Sequence, residues 1–340
     1  MNTLVVIVNY RVPHLTIDAL ASLEPEMDAL PGSRVVVVDN ASGDGSDLKI
    51  QAAIDEGGWG EWAHFIPAPD NRGFAAGNNV GIRHGMEWFG GDGPDSVLLL
   101  NPDTVVRPGG VRVLVEFLES HPEVGIAGSR LEDPDGTPQA SQFRFPGAIN
   151  QFEGYFAFGP LTRLLERYTS APPIRDEAHE IEWVSGASML VRREVIDDIG
   201  LLDDDYFLYF EETDFCLRAQ RAGWRIWYVP DSHVVHLVGQ SSGVTVRHQD
   251  RPRRPVYWFD SRLRYYLKNY GALKTMWIDV VSWVGLLLGK VRCVVLRRPP
   301  LEPPHFLRDM IANSVFVRGT KVPVGKPPAP AKKPTPTAVG

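Results

Sequence analysis

The sequence predicts an α/β protein built on a mainly parallel, doubly wound sheet. Three apolar runs, at residues 3–10, 34–40 and 96–101, are rich in β-branched residues or leucine and have no polar face, which is typical of buried parallel strands. Amphipathic segments lie between them: residues 13–23 place their leucines on one face, and Ser46 opens a second helix after the turn-forming ASGDG. In such sheets ligands bind outside the carboxyl ends of the strands, so functional residues are sought there.

Composition bounds the class of protein. A chain of 340 residues, 44% hydrophobic and 23% charged, can bury one large core and is not a disordered chain. Cys216 and Cys293 are the only cysteines, which excludes a disulfide framework or a CxxC motif and favours a reducing cytoplasm. The opening MNTLVVIVNYR lacks the basic start of a signal peptide, and no segment offers about 20 uninterrupted apolar residues.

Charge is divided unevenly along the chain. From Arg247 to the C-terminus there are 18 Lys and Arg against 5 Asp and Glu, whereas residues 1–246 have 17 against 37. The net charges of the two parts, +13 and −20, combine to the −7 of the whole chain. The acidic part argues against nucleic-acid binding, and the basic part suits anionic phospholipids or phosphate-bearing partners.

Polar side chains follow each of the three predicted strands. They are, in chain order, Asn9, Tyr10, Asp39, Asn40, Asn101 and Asp103. If the sheet is parallel, these side chains meet in one crevice although they are far apart in sequence. For each residue taken singly, capping of the turn after a strand is the alternative.

Two common nucleotide-binding motifs are missing from the sequence. VNYRVPH follows the first strand in place of G-x-G-x-x-G, which disfavours a dehydrogenase, and there is no Walker lysine motif. NRGFAAGNNVGI (71–82) instead repeats glycine every four residues, at Gly73, Gly77 and Gly81. Small residues on one helix face permit close approach of a ligand or of another backbone, so ligand binding and helix-on-sheet packing both stay open.

Acidic residues are concentrated at the start of a predicted helix within residues 206–224. Glu211, Glu212 and Asp214 lie in its first turn, directly after the aromatic run YFLYF. A carboxylate beside an apolar wall can have the raised proton affinity of a general base. The alternative is structural, because acids favour helix N-termini and Asp214 is placed to pair with Arg218 at i+4.

A set of motifs in a fixed order resembles family 2 glycosyltransferases, and within that family the bacterial rhamnosyltransferase-like members. The motifs lie within residues 3–270 and are VNY, VDNASGDGS, NRGFAAGNN, LNPDTVV, VSGASMLVRR and FEETDFCLRAQRAGW. The resemblance implies a GT-A fold, a nucleotide-sugar donor such as a dTDP- or UDP-sugar, and inversion at the anomeric carbon. It also implies a divalent cation, Mn²⁺ or Mg²⁺, as cofactor.

The resemblance assigns donor and metal roles residue by residue. Asp39 would hold the pyrimidine base, Asn71 and Gly73 would lie near the diphosphate or the sugar, and Asp103 would be the metal-binding acid of the Asp-x-Asp motif. This sequence departs from that motif with Asn101 at its first position. His236 is predicted as the second protein ligand of the metal. The complete donor-binding prediction comprises Asn9, Tyr10, Asp39, Asn71, Gly73, Asn101 and Asp103.

Catalytic and acceptor roles follow from the same resemblance. Glu212 aligns with the catalytic base of the family's E-D-x-D pattern, where it replaces Asp, and Asp214 is the reserve. VSGASMLVRR resembles the floor of the acceptor site, which predicts Ser185 and Gly186 there. Trp183 is predicted to offer a face on which a sugar stacks, and a core tryptophan is the alternative.

The C-terminal part has a different character. Residues 276–298 are largely apolar, are interrupted by Asp279 and end in basic residues, which predicts a helix lying in the membrane interface. Packing of this helix on the catalytic domain is the alternative. Before this segment, Arg262 and Arg264 are predicted to face the diphosphate or an anionic acceptor. A solvent-exposed helix face is the alternative for both. Residues 319–340 are rich in Pro, Lys and Ala, which predicts disorder.

The predicted organisation is therefore a GT-A catalytic domain at 1–245, a basic helical extension at 246–318 that associates with the membrane, and a tail at 319–340. The resemblance implies an inverting, metal-dependent glycosyltransferase, and the predicted interfacial helix would hold it at the inner face of the cytoplasmic membrane. The acceptor would be a cell-surface glycan or its lipid-linked precursor, and the resemblance favours rhamnose as the sugar. Two alternatives stay open: a nucleotide-sugar-forming nucleotidyltransferase and a catalytically inactive nucleotide- or glycan-binding protein.

Overall fold

The predicted strands form the centre of a mainly parallel sheet. The computed structural model describes residues 1–91, 93–237, 252–300 and 302–325. The three apolar runs form strands at Thr3–Asn9, Arg34–Asp39 and Ser96–Leu100, and every residue of the first and third strands is buried. The α/β fold class predicted from the sequence is confirmed.

The helices and strands alternate along most of the chain. The strands are β1 (Thr3–Asn9), β2 (Arg34–Asp39), β3 (Ala63–Pro67), β4 (Ser96–Leu100), β5 (Thr104–Val106), β6 (Val124–Glu132), β7 (Gln142–Phe143), β8 (His179–Glu180), β9 (Trp183–Val184), β10 (Ser188–Arg192) and β11 (Arg225–His236). The helices are α1 (Pro13–Ala29), α2 (Ser46–Gly57), α3 (Phe74–Phe89), α4 (Gly110–Ser120), α5 (Ala148–Phe156), α6 (Gly159–Leu164), α7 (Arg193–Ile199), α8 (Glu211–Arg221), α9 (Val256–Val295), α10 (Phe306–Ala312) and α11 (Val315–Arg318).

The strand order brings the predicted functional ends side by side. The order is β3-β2-β1-β4-β10-β6-β11-β5, with β8 beside β11, and β7 and β9 form a separate antiparallel pair. β1 runs parallel to β2 and β4, whereas β10 runs antiparallel between β4 and β6. The register sets Asn9 opposite Asp39 and Ile7 opposite Leu100. The carboxyl ends of three strands therefore lie at the same end of the sheet.

Helices cover both faces of the sheet, as the alternating residues of β1 show. Val5 and Ile7 pack in one core with α1, α2 and α4, whereas Leu4, Val6 and Val8 pack in a second core with α3, α7 and α8. Successive side chains of a strand point to opposite faces, so a strand that is apolar throughout needs cover on both sides.

The glycine repeat of α3 serves mainly for packing. A Cβ atom on Gly77 would lie 2.8 Å from a methyl group of Val8, and one on Gly81 would lie 2.5 Å from a methyl group of Val6. Both distances are too short for real Cβ contacts, so only glycine lets α3 lie this close to β1. Helix-on-sheet packing, one of the two alternatives for the repeat, accounts for these two residues.

The C-terminal extension is built around α9, which turns sharply at Gly271, where φ is 75° and ψ is 174°. The part before this turn contributes Tyr265 and Tyr266 to an apolar cluster with Tyr206 and Leu217. The part after it packs on α5, α10 and α11. Of the helices in the described ranges, none combines the length and apolar character that crossing a membrane requires.

Asp279, the acid that interrupts the apolar run of α9, faces inward. Its Oδ1 accepts a hydrogen bond of 2.6 Å from Nη1 of Arg262, and its Oδ2 accepts one of 3.0 Å from the backbone N–H of Val315. The Arg262 and Asp279 side chains are 3% and 0% exposed. Arg262 therefore faces neither a diphosphate nor an anionic acceptor nor solvent, so all three possibilities predicted for it are wrong.

The two domain boundaries predicted in the C-terminal part stay predictions. Residues 245 and 246 lie outside the described ranges. The backbone N–H of Gly325 donates to the carbonyl oxygen of Asp205 at 2.6 Å, and Arg264 Nη1 donates to the carbonyl oxygen of Pro323 at 2.8 Å. These contacts set residues 323 and 325 against the loop before α8, residues 326–340 are outside the described chain, and disorder of residues 319–340 stays a prediction.

Candidate active site

A cavity of about 350 Å³ lies at the carboxyl ends of β1, β2 and β4. It brings together nine of the residues that the sequence predicted for the site: Tyr10, Asn71, Gly73, Asn101, Asp103, Ser185, Gly186, Glu212 and His236. They come from strand ends, from the start of α3, from the turn before β10, from the start of α8 and from the end of β11. The convergence inferred from a parallel sheet therefore occurs, and it includes elements that sequence spacing alone does not relate.

Asn9 and Asp39 meet beneath this cavity but are not among the described residues that line it. Oδ1 of Asp39 accepts hydrogen bonds of 2.6 Å from Asn9 Nδ2 and from Ser42 Oγ, and its Oδ2 accepts one of 3.0 Å from the backbone N–H of Ser42. Both side chains are buried. The pair holds the two strand-end turns together here, which is the turn-capping alternative, while contact of Asp39 with a nucleotide base stays a prediction.

Gly73 holds the start of α3 against the loop before α8. Its φ is +97°, and a Cβ atom there would lie 2.0 Å from the carbonyl oxygen of Phe207. That same oxygen accepts a hydrogen bond of 2.8 Å from the backbone N–H of Phe74. Asn71 completes the turn, because its Oδ1 accepts from the N–H of Gly73 at 2.9 Å and from Asn40 Nδ2 at 3.0 Å. At position 73 glycine is required both by the positive φ and by the contact with Phe207. Gly77 and Gly81 are required by close contact alone.

Asp103 and His236 are brought together by strand pairing. β5 runs antiparallel to β11 with Thr104 opposite His236, and the N–H of Leu237 donates to the carbonyl oxygen of Asp103 at 2.9 Å. His236 Nε2 then lies 3.6 Å from Asp103 Oδ1, with the two side chains 14% and 2% exposed. Both side chains line the cavity. A carboxylate and an imidazole therefore face the same volume from adjacent strands.

This pair fits a divalent cation that completes its coordination with substrate. Among the described residues no group of three or more His, Cys, Asp or Glu side chains forms a cage for a metal ion. Mg²⁺ sites typically use one or two carboxylates together with substrate phosphates and waters rather than a dedicated protein cage. Asp103 and His236 supply such a partial set, and the rest of the cavity leaves room for a diphosphate.

Glu211 and Glu212 begin α8 and both line the cavity. Burial raises the pKa of Glu212 above the usual value of a glutamate. Burial also raises the pKa of Glu211 well above that value, and the neighbouring charge of Glu212 raises it further. The Oε2 atoms of both residues are buried and have no hydrogen-bond partner within the described part of the chain. The start of α8 therefore presents two carboxyl groups of raised proton affinity to the cavity.

The backbone immediately before these acids is strained. Tyr209 and Phe210 have φ values of 73° and 70°, a region that bulky residues with a Cβ atom rarely occupy. Such conformations cost about 1–3 kcal/mol each and persist only where the surrounding structure enforces them. Here the enforcing contacts include Phe210 packed on Tyr265 and on Trp258 of α9. Strain and packing together set the direction from which α8 enters the cavity.

Asp214 faces away from the cavity, which contradicts its prediction as the reserve base. It is 0% exposed and accepts hydrogen bonds from Lys268 Nζ at 2.7 Å, Asn269 Nδ2 at 2.7 Å and Arg218 Nε at 3.1 Å. Two residues along a helix are about 200° apart around its axis, so Glu212 and Asp214 cannot share a face. The structural alternative, pairing of Asp214 with Arg218, is the observed one.

Comparisons with known proteins agree with this geometry. A family model described as "Glycosyltransferase like family 2" matches residues 2–254. The chain belongs to glycosyltransferase family 2. The resemblance inferred from the ordered motifs is thereby confirmed, and the protein is a glycosyltransferase rather than a dehydrogenase or a P-loop kinase.

Curated relatives of this glycosyltransferase include rhamnosyltransferases. The N-acetylglucosaminyl-diphospho-decaprenol L-rhamnosyltransferase of Mycobacterium tuberculosis is 30% identical over 260 residues, which cover 71% of this chain and 81% of the relative. Rhamnosyltransferase WbbL of Escherichia coli K12 is 26% identical over 202 residues, which cover 58% of this chain and 68% of the relative. Similarity to rhamnosyltransferase-like members is therefore confirmed.

Solved structures show the same architecture. The mannosyltransferase PcManGT from Pyrobaculum calidifontis, in complex with GDP-Man and Mn²⁺, matches with a TM-score of 0.56 at 16% identity over 94% of this chain and 88% of its own. GalNAc-T7 with UDP, GalNAc and Mn²⁺ matches with a TM-score of 0.56 at 13% identity over 95% of this chain and 58% of its own. These likenesses establish the GT-A fold.

Trp183 and Arg264, two further residues of the predicted glycosyltransferase site, both contact protein groups. Trp183 stacks on Phe143 with ring centroids 4.3 Å apart and donates from Nε1 to the carbonyl oxygen of Arg144 at 3.0 Å. It is not among the described residues that line the cavity, so its observed contacts are those of the packing alternative, while stacking of a sugar on Trp183 stays a prediction. Arg264 pairs with Asp203 at 2.9 Å instead of facing a diphosphate. Its role is to hold α9 against the loop before α8.

Sequence reasoning anticipated the aromatic wall of the cavity but missed its cationic part. Arg254, just before α9, lines it together with Phe207 and Tyr209 of the strained loop. Asn40, one of the strand-end residues predicted to meet in the crevice, also lines it and donates hydrogen bonds to Asn71 Oδ1 and to the carbonyl oxygen of Gly73. The positive charge at Arg254 was hidden within the basic C-terminal part of the sequence, where spacing does not distinguish it from its basic neighbours.

Proposed function

We propose that this glycosyltransferase transfers a sugar, with inversion, from a nucleoside-diphosphate donor to a hydroxyl group of a cell-surface glycan or its lipid-linked precursor. One observation carries the proposal: Asp103, His236 and Glu212 face a single cavity from three different elements. This arrangement joins a cation-binding pair to a carboxylate with raised proton affinity. The rhamnosyltransferase relatives support rhamnose as the sugar, and one of them names a diphospho-decaprenol acceptor.

The chemistry assigned to Glu212 is general-base catalysis. In its ionised form it takes the proton of the acceptor hydroxyl while that oxygen forms a bond to the anomeric carbon of the donor. The bond between the anomeric carbon and the diphosphate oxygen breaks on the opposite face, and the nucleoside diphosphate leaves. The raised pKa of Glu212 makes it a stronger base than an exposed glutamate, which suits proton transfer near neutral pH.

The remaining residues of the cavity bind and orient the donor. Asp103 and His236 would hold Mn²⁺ or Mg²⁺, which supplies positive charge to the departing diphosphate. Arg254 brings a second positive charge to the same cavity and is placed to bind phosphate oxygens. We assign Tyr10, Asn71, Gly73 and Asn101 to the donor side, and Ser185 and Gly186 to the acceptor side.

The reaction is tested with a panel of nucleotide-sugars. In Mn²⁺ we expect dTDP-rhamnose to raise the melting temperature of the full-length protein, because a ligand bound only by the native state stabilises it. The shift should disappear in EDTA and in Asp103→Ala. Release of nucleoside diphosphate that depends on an added prenyl-diphosphate N-acetylglucosamine acceptor establishes transfer. An active Asp103→Ala enzyme in Mn²⁺ contradicts the metal assignment, and no release with any donor contradicts the function.

The second part of the proposal is peripheral attachment to the inner face of the cytoplasmic membrane through α9. Beyond Gly271 the side of α9 that packs on the protein carries mostly small or polar residues, including Thr275, Ser282 and Gly285, with Ile278 and Leu286 as its large apolar residues. Its exposed side is apolar at Leu273, Trp277, Val280, Val284, Leu287, Leu288, Val291, Val294 and Val295. This distribution is the reverse of a helix that faces water, and tryptophan with nearby Lys and Arg is typical of an interfacial helix.

The alternative for this helix was packing on the protein. Only one face of α9 packs in this way. A Cβ atom on Gly289 would lie 2.3 Å from the carbonyl oxygen of Tyr155, and one on Gly285 would lie 3.0 Å from that of Phe152. These glycines let α5 lie close against α9 and leave the apolar side outward. Lys290, Arg292, Arg297 and Arg298 add positive charge at its end, which selects anionic lipid.

Vesicle binding tests this attachment. The double variant Trp277→Asp/Leu287→Asp should lower partitioning onto phosphatidylglycerol vesicles by at least about tenfold, since two apolar side chains lose burial in lipid. The matched control is Leu48→Asp, which changes an exposed leucine of α2 that is 74% exposed. Sedimentation with vesicles measures both, and phosphatidylcholine vesicles test the charge requirement. Equal binding by the double variant and the wild type would show that α9 is not the attachment site.

A further inference from the structure

Glu211 is a buried acid in the cavity to which the proposed reaction gives no role. The residue is 3% exposed, yet it is one of the cavity-lining residues. Its Oε2 atom has no hydrogen-bond partner in the described ranges. An unpaired polar atom in a buried position is costly, so such atoms usually either have a partner that arrives with a ligand or carry a proton.

A second carboxyl group, that of Glu212, adjoins Glu211, and ionisation of either one opposes ionisation of the other. Glu212 follows it on the same helix turn, and both carboxyl groups belong to the same cavity. Two carboxylates that share a site cannot both ionise at little cost, so one of them retains its proton. The other titratable or charged side chains that line the cavity are Tyr10, Asp103, Tyr209, His236 and Arg254.

Burial separates the two acids. Glu211 is buried, with 3% of its surface exposed, whereas Glu212 is partly exposed to the cavity. Burial disfavours the charged form, and it does so more for the more deeply buried group. The raised pKa of Glu211, which burial causes first and the charge of Glu212 second, agrees with this order.

We propose that Glu211 is a neutral carboxylic acid that donates a hydrogen bond to a sugar hydroxyl in the cavity, while Glu212 stays ionised beside it. This inference rests on the proposed function for the identity of its ligand. A protonated carboxyl group can donate a hydrogen bond, which a carboxylate cannot. The pair then divides two tasks that one carboxylate cannot perform together: Glu211 orients a sugar, and Glu212 accepts the proton.

Infrared spectroscopy tests the protonation state without any substrate. Full-length wild-type protein and Glu212→Gln at neutral pH should show a C=O stretching band of a protonated carboxyl group that is absent from Glu211→Gln. The control is Glu116→Gln, an exposed glutamate of α4, which should retain the band. If the band is unchanged in Glu211→Gln, Glu211 is not the protonated acid and the inference fails, whatever the fate of the proposed reaction.

Kinetics with dTDP-rhamnose and the prenyl-diphosphate acceptor test the hydrogen bond. Glu211→Gln keeps an N–H donor and should retain kcat/KM within about threefold. Glu211→Met has a similar volume without a donor and should lose roughly 5- to 100-fold, the cost of leaving the bound sugar group unpaired. A Glu211→Gln enzyme as impaired as Glu212→Gln would assign the base to Glu211 instead. A Glu211→Met enzyme with wild-type kinetics would contradict the proposed hydrogen bond from Glu211 to the sugar. An inactive wild type bears on the proposed function alone.

Discussion

Glu212→Gln is expected to lower the turnover number of the full-length enzyme by about 10²–10⁴-fold, the usual contribution of a general base. Glutamine has nearly the same shape as glutamate but cannot accept the proton of the acceptor hydroxyl. Donor binding should persist, because Asp103, His236 and Arg254 are unchanged in the same cavity. The measurements are the rate of nucleoside-diphosphate release and the donor-induced rise in melting temperature.

Two controls separate loss of the base from loss of folding. Glu116→Gln removes an exposed carboxylate on α4 whose side chain is 62% exposed and should leave turnover unchanged. The Glu212→Gln protein itself should be at least as stable as the wild type at neutral pH. A carboxyl whose folded pKa is raised adds stability that is full below its unfolded pKa and is lost as pH rises through the folded value. Near-normal turnover of Glu212→Gln would place the base elsewhere.

The pH profile gives an independent signature of the same residue. The base works only when ionised, so turnover should fall as pH decreases through the pKa of Glu212. Burial raises that pKa, and the acid side of the profile should therefore lie at higher pH than for an exposed glutamate. In Glu212→Gln the residual activity should lose this dependence.

Much of this site could be predicted because parallel strands end together. Each of the three apolar runs ends in polar residues: Asn9, Asp39, Asn101 and Asp103. The parallel register of β1 with β2 and β4 places the ends of these runs side by side. His236 depended on the resemblance, since its approach to Asp103 requires the antiparallel pairing of β5 with β11. A two-stranded contact between distant segments leaves no local signal in the sequence.

The failures concern the direction in which side chains point. Asp214 and Glu212 are both acids in the first turn of α8, so the sequence does not distinguish their roles. The packing of α9 on α8 brings Lys268 and Asn269 to Asp214. Trp183 packs on Phe143 because β9 pairs with β7 in the register that sets these two residues opposite each other, and no local sequence pattern indicates that pairing. The apolar run of α9 indicated burial in either the membrane interface or the protein. The sequence pattern does not show which face of the helix packs on the protein.

The buried pair of Arg262 and Asp279 should account for a large part of the stability of the C-terminal extension. Asp279→Ala leaves the Arg262 guanidinium buried without its carboxylate and frees the backbone N–H of Val315 as well. Removing one partner of a buried ion pair costs about 3–5 kcal/mol. Denaturant unfolding of the purified full-length protein, followed by tryptophan fluorescence, measures the difference.

Two further variants identify the source of that cost. Glu116→Ala removes the partner of Arg112 in an exposed i,i+4 pair at 3.7 Å and should change stability by less than about 0.5 kcal/mol. The double variant Arg262→Met/Asp279→Leu replaces both charges with apolar side chains and should recover most of the loss, because an unpaired buried charge is worse than none. If Asp279→Ala unfolds at the same denaturant concentration as the wild type, α9 is held by its apolar contacts with α5 and α10 alone, and the inward acid contributes nothing to that packing.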